Sequence, residues 1–432
     1  MTQEKPSTFP LFAISAPGLE AYTAMELQQL DLLEPNRRSS QVIAGKSNFI
    51  QDESIGGVSF QGDRRSLYLA NLWLHTANRV LVRLGEFYAA AFSELRKKAS
   101  RLPWENYLLP GQAISLRVSC HKSKLYHSDA VAERVAGAIS DRLGRSMRVV
   151  KYNETGSNPG SQLILVRLVH DQCTISLDSS GALLNRRGYR LAVAKAPLRE
   201  TLAAGMLLGS AWDSVSPLLD PFCGSGVIPI EAALLALHKA PALAALPLET
   251  DLKAYAGKAK DKISAVTEAN SEPRRFAFME WPDFDRKLWQ SLKETALFQH
   301  QMQAQKLAGK LRIQASDRDA GAVAMAQTNA ARAGVAEWIE FRCQSVSAIQ
   351  PPVGEVGWLV TNPPYGMRLS PSKDLRNLYA QIGNVLREKC PGWHVAILCS
   401  ELPLLMGTGI KLDTSLSMDN GGVRVRLGRG VV

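Results

Sequence analysis

The sequence predicts an α/β protein in two parts: an α+β region with antiparallel pairing, then a doubly wound, mainly parallel sheet closed by a C-terminal antiparallel hairpin. Three observations carry this. In the first half, helical periodicity alternates with strand-like runs, and 161–169 and 172–178 follow one another across a His170-Asp171 turn. In the second half, short strands are separated by helices, the pattern of a parallel sheet. Within 414–427, Asn420-Gly421-Gly422 stands between two extended runs, as in a hairpin.

In order along the chain, Pro17-Gly18-Leu19-Glu20 opens an amphipathic helix to about Leu30, apolar at 19, 22, 27 and 30. Val58–Phe60 is a strand after the Gly56-Gly57 turn, and 64–84 carries helical periodicity. Ala113–Ser119 alternates as a strand, and Asp129–Leu143 is a helix stopped by Gly144. A connector at 181–201 leads to the second half. There 216–220 is a strand, about 227–237 a helix, 311–317 a strand and 319–333 a helix. Residues 240–310 form an insertion with an aromatic-rich stretch, Phe276–Phe284, and a helix over 285–308.

A chain of 432 residues suffices for two or three domains. With 46% hydrophobic and 21% charged residues it has the composition of a folded globular protein. No apolar run has the length of a membrane span, and the polar start is no signal peptide. The six cysteines lack metal-ligand spacing, so no metal is expected, and reduced thiols in the cytoplasm are the simplest account. Of the net charge of +11, most lies in residues 1–200, with 26 basic against 18 acidic side chains; 96–151 alone hold 12 against 4. Such a patch attracts a polyanion, with nucleic acid foremost.

Three motifs carry chemistry. Asp220-Pro221-Phe222-Cys223-Gly224-Ser225-Gly226 is a glycine turn between a strand and a helix, where a ligand can approach backbone N–H groups. It lacks the third glycine of a dinucleotide site and the Lys-Ser/Thr of a P-loop. Asp317 ends the next strand; it is placed either to accept both hydroxyls of a ribose or to cap the following helix. Asn362-Pro363-Pro364-Tyr365 follows an apolar strand. Its Asn amide oxygen and Pro363 carbonyl can accept both N–H bonds of a conjugated amine while Tyr365 stacks on the ring that bears it. This catalyses by positioning and electrostatics. A proline-rich turn would look the same in isolation.

The order of glycine loop, strand-end acid and Asn-Pro-Pro-Tyr resembles the class I S-adenosylmethionine-dependent methyltransferases that modify amino groups. Pro17–Glu20, Gly56–Phe60, the basic 96–151 region, Arg186-Arg187-Gly188-Tyr189-Arg190 and Ala196–Ala203 are similar to the RNA-binding half of the THUMP-domain RNA methyltransferases. Phe276–Phe284 resembles the insertion of the bacterial branch that forms N2-methylguanosine in large-subunit ribosomal RNA, the branch of the RlmL N-terminal module.

The resemblance implies a ferredoxin-like plus THUMP RNA-binding region over 1–180 (THUMP core about 55–170), a connector at 181–201, and a Rossmann-like methyltransferase domain over 202–432. It implies S-adenosylmethionine held by Asp220, Cys223, Gly224, Ser225 and Gly226 at the methionine end, with Asp317 on the ribose and Arg318 beside the adenine. Ser345 stands where the family usually has an acid on the adenine amine, a departure expected to weaken cofactor binding by about 1 kcal/mol. Asn362, Pro363 and Tyr365 would hold the guanine amine, and Lys122, Lys124, Arg186 and Arg187 would contact RNA. Ribosomal RNA is the favoured partner. Guanine-N2 methylation of tRNA is the alternative, and a non-catalytic RNA-binding assembly factor a third. DNA adenine and protein-glutamine methyltransferases share the Asn-Pro-Pro-Tyr motif, but the first half of the chain speaks against both.

Overall fold

The computed structural model describes residues 8–34, 56–152, 160–190, 198–245, 274–352, 354–366 and 372–432. Part of the expected connector, including Ala196 and Pro197, lies outside them, as do 246–273 of the insertion and Met367 and Arg368.

Two seven-stranded sheets organise the described chain. The first contains β1 (Phe9–Ser15), β2 (Gly57–Gly62), β3 (Ala77–Tyr88), β4 (Ala113–His121), β5 (Arg148–Val149), β6 (Ser161–Val169) and β7 (Gln172–Asp178). Their order is β2-β1-β3-β7-β6-β4-β5, with β4 parallel to both β5 and β6 and the other pairs antiparallel. The twelve-residue β3 makes the sheet continuous, since its first half pairs with β1 and its second with β7. Helices α1 (Glu20–Gln29), α2 (Arg64–Trp73), α3 (Phe92–Ala99) and α4 (Ser128–Leu143) accompany this sheet. The left-handed Gly144 ends α4, as the sequence leads one to expect.

The helical expectation over 64–84 holds only as far as Trp73. Beyond it the chain turns into β3, so Ala77 and Val80 are strand residues. The reason is tertiary: the buried Glu26 carboxylate accepts the backbone N–H groups of His75 (2.8 Å) and Thr76 (3.0 Å), drawing them out of any helix. β-branched Val80 and Val82 then fill the sheet.

The second sheet contains β8 (Leu218–Asp220), β9 (Ile313–Asp317), β10 (Ile339–Cys343), β11 (Trp358–Thr361), β12 (His394–Cys399), β13 (Ser417–Asn420) and β14 (Val423–Val431). Its order is β10-β9-β8-β11-β12-β14-β13; the first five are parallel and the last two pairings antiparallel. Along β11 and β12, alternate residues enter different apolar clusters, Val360, Ala396 and Leu398 in one and Leu359, Val395 and Ile397 in the other. Both faces are therefore buried, as period-two alternation requires of a sheet clad on each side. The cladding includes α5 (Glu200–Gly209), α6 (Val227–Ala236), α8 (Ala320–Arg332) and α9 (Ser372–Lys389). The strand order reverses between β8 and β11, which sets a crevice at their carboxyl ends.

The described end of the insertion packs against the first body. Phe278 stacks on Tyr68 of α2 at 4.5 Å, and Trp289 meets Tyr68 edge-on at 5.8 Å. Trp281 Nε1 donates to Gln162 Oε1 of β6 at 3.0 Å, while Arg64 pairs with Asp283 at 2.5 Å. The helix α7 (Arg286–Leu307) then reaches the second body, where Gln303 Nε2 donates to the Ala236 carbonyl at 3.2 Å. This segment straps the two sheets together.

Candidate active site

Because β8, β9 and β11 are parallel, Asp220, Asp317 and the start of Asn362–Tyr365 emerge at one sheet edge. The turn after β8 is tight. Gly226 N donates to the Cys223 carbonyl (2.7 Å), and Gly224 and Gly226 have φ of 51° and 83°. At Gly226 glycine is also a packing need, since a Cβ would stand 2.9 Å from that of Ala326. At Gly224 a Cβ would meet nothing within 4 Å, so the backbone there faces open space. Cys223 is held by its N–H on the Ser316 carbonyl (2.9 Å), and burial raises its thiol pKa. The Ser225 carbonyl accepts from Asn329 Nδ2 of α8 at 3.0 Å.

Asp317 is not the helix cap. That role belongs to Asp319, whose Oδ1 accepts the Gly321 N–H at 2.8 Å. Asp317 instead joins two loops, Oδ2 accepting Gly224 N and Oδ1 accepting Asp319 N, both at 3.0 Å. Each carboxylate oxygen keeps a lone pair for a further donor. Arg318 is exposed beside it. Ser345, beyond β10, is exposed with its hydroxyl 2.8 Å from that of Ser347.

Asp220 is 1% exposed, and its Oδ1 accepts Thr361 Oγ1 (2.7 Å) and Phe222 N (3.1 Å). The Thr361 bond ties the glycine turn to the Asn-Pro-Pro-Tyr strand. The other oxygen, Oδ2, is buried without a hydrogen-bond partner. Burial, with the nearby Asp317 charge, pushes the Asp220 carboxyl up to about 7, against the pull of Thr361 and Phe222. Three strands on in sequence but adjacent in the sheet, the Asn362 amide oxygen is likewise buried and unpartnered. Orphaned buried acceptors are rare and costly in folded proteins.

Tyr365 is partly buried between the two apolar clusters, and burial raises its pKa. Its hydroxyl accepts from Asn420 Nδ2 at 3.3 Å, and the next residue, Gly366, donates its N–H to Glu401 Oε1 at 3.1 Å. Thr361, Asn329, Glu401 and Asn420 thus frame the site without having been singled out for it by sequence. The first could have been found as a β-branched strand residue one step before Asn362. Asn420 carries every mark of a turn residue and was hidden by it.

The candidate RNA contacts divide. Lys122, Lys124 and Arg186 are exposed. Arg187 is corrected: it is 4% exposed, and its guanidinium donates to the carbonyls of Leu184 (2.7 Å) and His75 (2.5 Å). Its Nε lies 3.5 Å from the buried Glu231 carboxylate, so Arg187 joins the two bodies internally. Among the described residues no group of three or more His, Cys, Asp or Glu is placed to hold a metal, and no helix is long and apolar enough to cross a membrane.

Comparison with known proteins agrees with this architecture. The RMKL-like methyltransferase domain matches residues 187–406, the RlmL ferredoxin-like domain 50–81 and the THUMP domain 89–178. A protein from Synechocystis named as an RNA methyltransferase is 32% identical over 96% of this chain and 95% of its own. The ribosomal RNA large subunit methyltransferase K/L of Psychromonas ingrahamii is 31% identical over 95% of this chain, which spans 49% of it. The solved structure of SMU.472, described as a methyltransferase complexed with SAH, superposes with a TM-score of 0.75 at 28% identity, covering 98% of each chain. A Rossmann-like sheet with an antiparallel edge, a THUMP region and these relatives together place the chain in the RMKL-like family, as an S-adenosylmethionine-dependent RNA methyltransferase.

Proposed function

We propose that the enzyme methylates the exocyclic N2 amine of a guanosine in 23S ribosomal RNA, in the cytoplasm. The observation that carries this is the buried, unpartnered Asn362 oxygen at the crevice between β8 and β11. An acceptor in that state is prepared for a donor that arrives with the substrate. Residues 1–180 would dock RNA, 181–201 connect, and 202–432 with the 240–310 insertion form the catalytic domain.

The residues present fit the cofactor. Asp220 Oδ2 lacks a partner, the Gly224 backbone faces open space, and Asp317 retains lone pairs on both oxygens. In this reading Asp220, Cys223, Gly224, Ser225 and Gly226 hold the methionine end, Asp317 the ribose, and Arg318 and Ser345 the adenine. S-adenosylmethionine, when bound, supplies a sulfonium-activated methyl group. The chain's own part is to orient the acceptor: Asn362 Oδ1 and the Pro363 carbonyl take the two amine N–H bonds, and Tyr365 supports the base. The lone pair is thereby aimed along the third direction, and the extra proton leaves to water after transfer. The base must leave its helix to enter the crevice. Exposed Lys122, Lys124 and Arg186 would meet phosphates, leaving base choice to the pocket.

The test is methyl transfer from labelled S-adenosylmethionine to separate ribosomal RNA and tRNA pools from a strain lacking the gene, followed by nucleoside analysis. N2-methylguanosine in the ribosomal pool is expected. The same nucleoside in tRNA would move the assignment to tRNA, and cofactor binding without label in either pool would favour an RNA-binding assembly factor.

A further inference from the structure

Asn420 does more than its sequence context explains. It is the last residue of β13, paired with Val423 across a two-residue Gly421-Gly422 turn in which both glycines have positive φ, 64° and 86°. The turn needs no help from its side chain, because Asp419 Oδ1 closes it by accepting the Gly422 N–H at 2.8 Å. The Asn420 amide is turned instead on the active-site ring, donating from Nδ2 to the Tyr365 hydroxyl at 3.3 Å. The hydroxyl sits at the end of the ring farthest from the backbone, so a bond there holds the far end of the ring axis, which the χ1 torsion alone leaves free to swing.

β13 is the edge strand, and its outer side is covered by the loop before α1. Asp419 N donates to the Pro17 carbonyl at 3.2 Å, and Gly18 lies so close that a Cβ there would stand 1.9 Å from the Ser417 carbonyl oxygen. That loop is itself clamped, since Glu20 accepts the N–H groups of Gly18 (2.7 Å) and Gly56 (2.9 Å). The strand that holds Tyr365 is therefore seated on the body proposed to dock RNA.

Resting on the reading of Tyr365 as the base platform, we propose that Asn420 is a positioning residue: it fixes the Tyr365 ring, and does so from a hairpin clasped by Pro17 and Gly18 of the first body. Loss of this bond leaves cofactor and RNA binding in place and misaligns the amine, so it acts on kcat.

The test compares Asn420→Ala, Tyr365→Phe, the double variant and Asn420→Asp, in which Tyr365 would donate to the new carboxylate. Methyl transfer is measured on total cellular RNA, so a wrong choice between ribosomal RNA and tRNA has no bearing. Expected are a fall in kcat of about five- to tenfold for each of the first two, no further fall in the double variant, near recovery in Asn420→Asp, and unchanged cofactor affinity. Multiplying losses in the double variant, or Asn420→Asp as slow as Asn420→Ala, would overturn the proposal. Hydrogen exchange across 358–366 needs no substrate: it should quicken in Asn420→Ala and Tyr365→Phe. If wild type methylates no RNA, the proposed function falls while this measurement still decides for or against Asn420, unchanged exchange counting against it.

Discussion

Two regions of this molecule bury polar groups, and they do so in opposite ways. At the junction between the sheets, Glu231 is fully buried but faces Arg187 at 3.5 Å and His75 at 3.6 Å, and it accepts the Tyr189 hydroxyl at 3.0 Å. Burial alone would raise its pKa, yet the Arg187 charge, with the His75 ring and the Tyr189 hydroxyl beside it, outweighs burial and holds it below the ordinary carboxylate range. At the candidate active site the acceptors face one another. Asp220 lies near Asp317, its second oxygen is orphaned, and so is the Asn362 oxygen. The junction sets the Arg187 guanidinium beside the Glu231 carboxylate, so unlike charges meet there even though Glu231 Oε2 also has no hydrogen-bond partner. At the site Asp220 Oδ2 and Asn362 Oδ1 are acceptors without a donor, chemistry that suits an ammonium, a ribose hydroxyl or an amine. Structural polar burial balances its charges, whereas functional polar burial leaves a deficit that a ligand fills.

The contrast yields graded expectations. Asn362→Ala should lower methyl transfer by about 10²–10³-fold while sparing cofactor affinity and leaving stability unchanged or raised, since an unsatisfied acceptor is removed. Loss of cofactor binding or of Tm alongside activity would make Asn362 a structural residue. At the junction the reverse holds: Glu231→Ala strands Arg187 and His75 and should cost about 3–5 kcal/mol in chemical denaturation. A cost below 1 kcal/mol would show the network to be dispensable.

Asp220→Asn probes the deficit itself. Because the folded carboxyl titrates near 7 and the ordinary value is 3.8, the folded state holds a proton that the unfolded state has lost between those values. Wild-type stability should therefore fall as pH rises from about 4 to 7, by up to about 1.4 kcal/mol per unit, and level off above. The variant, free of this titration, should gain in Tm over wild type across the same window, and parallel Tm profiles would refute the assignment. The smallest effect is expected outside both regions. Lys122→Ala with Lys124→Ala should weaken RNA binding about uniformly across sequences, lower its salt dependence, and leave Tm within about 1 °C.

Much of this was legible along the chain because it is local. The hairpin turn at Gly421-Gly422, the stop at Gly144, and the strands flanking His170-Asp171 all follow from backbone preferences of a few residues. The order of glycine turn, strand-end acid and Asn-Pro-Pro-Tyr was equally plain, and the parallel sheet brings them to one edge. What escaped depends on contacts between distant residues. The end of α2 at Trp73 is set by Glu26, forty-seven positions earlier. Arg187 sits in a basic run yet is buried by a partner, Glu231, that nothing nearby announces. Asn420 looks like a turn residue and serves Tyr365, fifty-five positions away.

The strap formed by 274–307 has a consequence for how the protein is made. Tyr68 finishes its packing only with Phe278, Phe284 and Trp289, more than two hundred residues downstream. A ribosome releases the chain from its N-terminus, so the first sheet waits with an open apolar face while β8, α6 and the whole segment to Trp289 are synthesised. The two bodies are separate in architecture but not in biogenesis: the first body reaches its final core only once the second has begun to emerge.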